Sequence, residues 1–212
     1  MKRITKYLLY IPLISSFFFH GCSKSTTGNF VHYTFDQKDK EWFVFQPGQQ
    51  FSFRNGANQI IFKVDKIFED VFPGESPCEF CGYKYSMSRH HTMLKALNDT
   101  AYFWVSFSKT IPDGGDINNP PGIEQGELIA EFSFFWKNPN SIFWYCNNPY
   151  FKKLNKAPNF ESVVVNGRLF TNVLKYEESV YSGLGKIKTF YYDQYKGLIK
   201  FKTHDGDEWI IE

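Results

Sequence analysis

The 212-residue chain carries 24 Lys and Arg against 22 Asp and Glu, a formal net charge of +2. That near-balance, without a clustered basic face, argues against nucleic acid as a partner. Phe, Tyr and Trp supply 20% of the residues. Such rings suit pleated, half-buried surfaces and lose rotamer freedom in helices, so composition alone predicts an all-β fold.

The chain opens with Lys2, Arg3 and Lys6, followed by a thirteen-residue apolar run, Tyr7–Phe19. As a helix that run spans about 20 Å, too short for a hydrocarbon core of roughly 30 Å, and Pro12 and Ser15-Ser16 weaken it further. Residues 1–21 therefore read as an export signal. The four residues Phe19-His20-Gly21-Cys22 resemble the lipobox of bacterial lipoproteins, with Phe19 where Leu is usual and His20 where Ala or Ser is usual. The resemblance implies cleavage before an acylated Cys22; an ordinary secretory signal is the alternative. Loss of the three leading cations would turn the formal +2 into −1. Residues 22–29 then form the acylated cysteine and a polar tether, Ser23–Asn29, reaching about 25 Å when extended. A single β-domain is expected over residues 30–212.

From Phe30 onward the dominant period is two. Phe30–Phe35, Glu41–Phe45 and Gln50–Arg54 are strand candidates, with a reversal at Asn55-Gly56. Gln59–Phe68 sets Ile60, Phe62 and Val64 on one face. Glu69–Gly82 reads as a loop, Tyr83–Met87 as a strand, and His90–Asn98 as ambiguous between strand and short helix. Thr100–Lys109 alternates Phe103, Val105 and Phe107 against Tyr102, Trp104 and Ser106. After the sixteen-residue loop Ile111–Gly126, Glu127–Trp136 places Leu128, Ala130, Phe132, Phe134 and Trp136 on one side. Ile142–Cys146 follows a turn at Asn138-Pro139-Asn140, and Asn147–Asn159 is irregular. Phe160–Val165 and Arg168–Tyr176 flank Asn166-Gly167, a hairpin signature. Ile187–Tyr192, Leu198–Thr203 and Glu208–Ile211 complete the chain. Short strands joined mostly by tight turns imply one antiparallel meander, curled into a half-barrel or barrel to bury its aromatic face, with a β-sandwich as the alternative.

The closing segment Phe190-Tyr191-Tyr192, Gly197-Leu198-Ile199-Lys200 and Asp205-Gly206, with Asn166–Val173 upstream, resembles uncharacterised envelope lipoproteins of Bacteroidetes. The resemblance covers about fifty residues and carries no catalytic motif. It implies a curved antiparallel sheet of the lipoprotein-carrier or lipocalin-like kind, anchored at the outer membrane. Surface-displayed lipoproteins of that phylum have acidic residues after the acylated cysteine; Ser23-Lys24-Ser25 stand here, which favours a periplasm-facing protein.

Cysteines number four: Cys22, Cys78, Cys81 and Cys146. With Cys22 acylated, at most one intramolecular disulfide forms and one thiol remains. Cys78-Glu79-Phe80-Cys81 reads as a local disulfide, or as one partner of a bridge to Cys146. A zinc site would need both His90 and His91 to complete its four ligands, although adjacent strand histidines face opposite ways. A redox pair would need a helix to follow it, and a strand pattern follows instead. The loop residues Asp113, Asp116 and Asn118 suggest an irregular calcium site or, more simply, a solvated turn; Gly115 and Ile117 rule out an EF-hand.

The tryptophans Trp42, Trp104, Trp136, Trp144 and Trp209 all lie in strand candidates, where burial competes with a role as sugar-stacking platforms. No Gly-x-Ser-x-Gly and no Ser/His/Asp set at recognisable spacing is present. Gly183-Leu184-Gly185 is no phosphate loop, Glu177-Glu178, Asp205 and Asp207 read as solvated carboxylates, and no cofactor is implied. The expected function is a non-catalytic envelope lipoprotein, held at the membrane through its acyl anchor and binding a protein partner or a lipid-like ligand in the sheet's concavity. A glycan-binding module, or a metal or redox role for Cys78 and Cys81, are the alternatives.

Overall fold

The computed structural model describes residues 30–74, 85–112, 114–116, 120–137, 144–147, 150–155, 158–178 and 187–212. The first strand, β1 (Val31–Tyr33), is followed by a departure from the predicted pattern. Asp36 and Asp39 form a capping box: the Asp36 carboxylate accepts the Asp39 N–H at 2.9 Å, and the Asp39 carboxylate accepts the Asp36 N–H at 3.0 Å. This reciprocal satisfaction of free amides starts a one-turn helix, α1 (Gln37–Lys40). The expected strand Glu41–Phe45 therefore does not form. Trp42 and Phe45 instead drop from a turn and an extended segment into the core, where they are 1% and 6% exposed.

The remaining strands are β2 (Gln50–Asn55), β3 (Asn58–Pro73), β4 (Tyr85–Ala96), β5 (Ala101–Thr110), β6 (Glu127–Lys137), β7 (Trp144–Asn147) and β8 (Tyr150–Phe151). They continue with β9 (Glu161–Val165), β10 (Arg168–Glu177), β11 (Ile187–Asp193), β12 (Gly197–Thr203) and β13 (Glu208–Ile211). β8 falls inside Asn147–Asn159, expected to be irregular, and two longer segments also differ from expectation. β3 runs on through Glu69–Pro73, assigned above to a loop, because Glu69 and Asp70 pair with His90 and Arg89 of β4. His90–Ala96 is strand, paired on both sides through Lys95, with no helical turn.

The protein is all-β: one open sheet in the order β7-β6-β5-β4-β3-β2-β13-β12-β11-β10-β9. It consists of two antiparallel meanders welded where the last strand meets β2, with Ile210 opposite Arg54 and Ile211 opposite Phe53. β1 lies parallel to the start of β4, and β8 joins β6 beyond β7. Asn166 and Gly167 both take positive φ, 49° and 73°, the primed turn that matches strand twist in a two-residue hairpin.

The sheet curls so that β6 packs face to face on β11 and β12. Phe132 stands 5.1 Å from Phe190 and 4.8 Å from Tyr192 between ring centroids, and Trp136 stands 6.3 Å from Phe201. Phe103, Phe132, Phe190, Tyr192 and Phe201 are fully buried. One hydrophobic cluster takes residues from both meanders, so rings occupy the concavity that a carrier would keep open for a lipid.

Candidate functional site

The inner face is apolar and packed, and the outer face of β3–β6 is a polar surface with a recess. A register slip between Val64 and Lys66 decides what that surface carries. Before the slip, Ile60, Phe62 and Val64 point inward; after it Ile67 packs against the core, and Phe68, Asp70 and Phe72 turn outward. Strand pairing then aligns Phe68, His91, Ser106 and Glu131 in one row across four strands. Asp70, Arg89 and Ser108 form the row on one side, and Met93, Trp104 and Ser133 the row on the other. On this face lies an open recess of about 340 Å3, lined by Arg89, His91, Trp104 and Glu131 together with Phe72 and Phe135.

His91 sits at the centre. Its ring stacks on Phe68 at 4.7 Å and meets Trp104 edge-on at 5.8 Å. The Trp104 indole N–H points at Nδ1 over 3.3 Å, and the Ser106 hydroxyl lies 2.8 Å from the same nitrogen. Nδ1 is thus the acceptor, and Nε2 carries the proton, facing Asp70 at 3.5 Å. Burial pulls the His91 pKa below its ordinary value, against the opposing pull of Asp70, so the ring is neutral at neutral pH. Asp70 is gripped by Arg89 through two 2.8 Å hydrogen bonds, which hold its carboxyl below the usual range. The Arg89 guanidinium also lies 4.4 Å over the Phe72 ring.

Ser106, His91 and Asp70 come from three adjacent strands, and their hydrogen-bond order is that of a hydrolase relay. Sequence spacing gives no hint of this set, because register, not proximity along the chain, assembles it. Two features separate it from a working relay. Both Asp70 oxygens are engaged by Arg89, and β5 is paired along both edges at Ser106, so its ladder leaves no strand amide there to hold an oxyanion. The network's evident effect is to fix the His91 ring and the faces of Phe68 and Trp104.

Of the tryptophans singled out by sequence, Trp42, Trp136 and Trp209 are core residues at 1%, 8% and 7% exposure. Among the described tryptophan side chains Trp104 alone lines the groove, and its aromatic neighbours are Phe68 and His91. Trp144 stands in β7, its side chain outside the described residues, as is that of Cys146, whose backbone pairs with Phe135. Cys22, Cys78, Cys81, Asp113, Asn118 and Gly183–Gly185 also lie outside them. His90 and His91 face opposite ways, His90 stacking on Phe43 at 3.9 Å. Glu177 pairs with Lys175 at 2.9 Å, and Asp207 accepts from Asn55 at 2.9 Å. Among the described residues no three His, Cys, Asp or Glu side chains gather to hold a metal, and no helix is long and apolar enough to cross a membrane.

Comparison with protein-family models, curated proteins and solved structures finds no match.

Proposed function

We propose that this protein is a non-catalytic, lipid-anchored binding protein of the cell envelope, and that its outer-face groove takes a neutral saccharide. The observation that carries the reading is the row Phe68–His91–Ser106–Glu131 beside Trp104. It sets the Trp104 ring, which lines the groove, next to the polar groups of Ser106, Ser133 and Glu131, held in place by strand pairing, which is what a sugar's apolar face and hydroxyl rim require. The charges in the groove favour a neutral ligand. Arg89 and Asp70 neutralise each other, His91 is uncharged, and the Glu131 carboxylate remains to repel anions. The anchor follows from Cys22, and Ser23-Lys24-Ser25 favour the periplasmic side.

Titration of neutral oligosaccharides into the tethered domain, read by calorimetry and by tryptophan fluorescence, tests this. Saturable binding that weakens more than about tenfold in Trp104→Ala is the expected result, the loss of one stacked ring. Binding unchanged in Trp104→Ala, or a preference for acidic over neutral sugars, would overturn it.

A further inference from the structure

The strand at one end of the sheet, β9, is an open edge: among the described residues it pairs with β10 alone. Packing on both of its faces holds it in place. Phe160, just before it, stacks on the buried Trp42 at 5.9 Å. Val163 and Val165 pack with Phe170, Val173 and Ile199 in a small outer-face cluster separate from the main core. Ile199 reaches that cluster because Tyr191 pairs with Lys200 and Tyr192 with Leu198, which bulges it out of the ladder. Val164 and Leu169, directly opposite one another, point to the other face and stand 62% and 61% exposed. Natural edges are blunted by Lys, Pro or a bulge. Ser162-Val163-Val164-Val165 has no Lys and no Pro, and the slip between Phe170 and Val173 places its extra residue in β10.

The hairpin fixes which backbone groups of this edge face out. Around a two-residue primed turn the flanking residues, Val165 and Arg168, exchange both hydrogen bonds, and the pairs alternate from there. Val163 therefore bonds to β10, while the N–H and C=O groups of Ser162 and Val164 point away from the sheet. Opposite charges mark the two ends of the strand. Glu161 is exposed at its start, and Arg168, opposite Val165, is exposed at its end; neither forms an ion pair among the described residues. Four residues of strand, about 13 Å, separate their rows within one copy. Lys175, whose charge Glu161 also feels, is held by Glu177 at 2.9 Å.

We infer that β9 is a dimerisation edge, pairing antiparallel with β9 of a second copy about a two-fold axis through Val163. That register sets Ser162 opposite the partner's Val164, so the outward groups of both residues close into hydrogen-bonded pairs. It gathers the exposed Val164 and Leu169 of each copy into one apolar strip. It also brings Glu161 opposite the partner's Val165, in the same cross-strand row as the partner's Arg168. A second copy is the matching occupant because a strand negative at one end and positive at the other is complementary to itself under a two-fold rotation. The contact is smaller than the roughly 1,200 Å2 of stable interfaces, so the dimer is a weak one. The groove on β3–β6 takes no part in it.

Sedimentation of the full chain in detergent, from micromolar concentration to about 1 mM, tests this. The wild type should pass reversibly from monomer to dimer. Glu161→Arg and Arg168→Glu, both at exposed positions, should each keep the Tm and weaken the dimer at least tenfold, and the double swap should restore it. Val163→Cys should give more disulfide-linked dimer than the parent chain under mild oxidation, because the residue meets its own copy across a non-hydrogen-bonded pair at about 4.5 Å. A monomer at every concentration, a dimer indifferent to the single reversals or not restored by the swap, or no added cross-linking in Val163→Cys would each overturn the assignment.

Discussion

The Lys109 ammonium lies 2.7 Å from the Asp39 carboxylate, with the two side chains 2% and 0% exposed. Lys109 continues the inward row of β5 after Phe103, Val105 and Phe107, where another apolar residue would be expected. Asp39 explains the exception. The capping box that starts α1 turns its carboxylate toward the sheet, and Lys109 clamps the helix to β5, with Asp36 a further acceptor at 3.4 Å.

Removing one partner leaves the other charge buried and unanswered. Lys109→Met should cost about 3–5 kcal/mol, the usual cost of breaking a buried pair, and Lys109→Met/Asp39→Asn should recover part of it. Urea denaturation reads both; a loss below about 1 kcal/mol for the single variant would refute the clamp.

The two central histidines predict an acid-sensitive fold. Burial, the largest cause in each, lowers the pKa of His90 and of His91, against the opposing pulls of Glu69 and Asp70. The unfolded chain therefore takes up protons that the fold refuses as pH falls below about 6.5. Their stabilising contribution is present above that pH and is lost as pH drops through the lowered folded values. Tm should decline between about pH 7.5 and about pH 5.5, and His91→Gln should flatten the decline. A profile as steep in the variant as in the parent would count against it.

Gly197 and Gly206 both take positive φ, at 81° and 94°, but differ in what surrounds them. A Cβ on Gly206 meets nothing within 4 Å, whereas one on Gly197 would stand 2.6 Å from the buried Phe45 ring. Gly206→Ala should cost about 1–2 kcal/mol from the backbone alone. Gly197→Ala should cost about 1–3 kcal/mol more, since Phe45 must shift within a packed core. Thermal unfolding of the two variants side by side checks the order; equal losses would show that Phe45 yields freely.

Cys22→Ala should abolish palmitate labelling and move the protein from the membrane fraction to the soluble one. A variant that still labels, or still sediments with membranes, would exclude Cys22 as the anchor.

Much of the fold is written in local pattern. The alternation of Leu128 to Trp136 and of Phe103 to Phe107 states which side of β6 and β5 is core, because a pleated strand has a strict period of two. Asn166-Gly167 specifies its hairpin for an equally local reason, the positive φ that both residues tolerate. Where the period breaks, the reading breaks with it. The slips after Val64, at Ile199 and after Phe170 reverse which residues face out, and a bulge depends on the neighbouring strand. Asp36 and Asp39 are two carboxylates three apart that cap a helix only once the chain turns there, whereas the rings of Trp42, Phe43 and Phe45 give the stretch after them the pattern of a strand.

What the sequence by itself determined is the class of the molecule: a β-rich domain with inward rows of rings along its strands. Tertiary structure alone decided where the groove lies. His91, Ser106 and Asp70 meet only through the register of β3, β4 and β5, and β13 meets β2 only because the chain's two meanders pair at their ends. The physical reason is that side-chain period is a property of one strand, whereas register and curl are set by ladder pairing and ring packing between strands far apart in the chain.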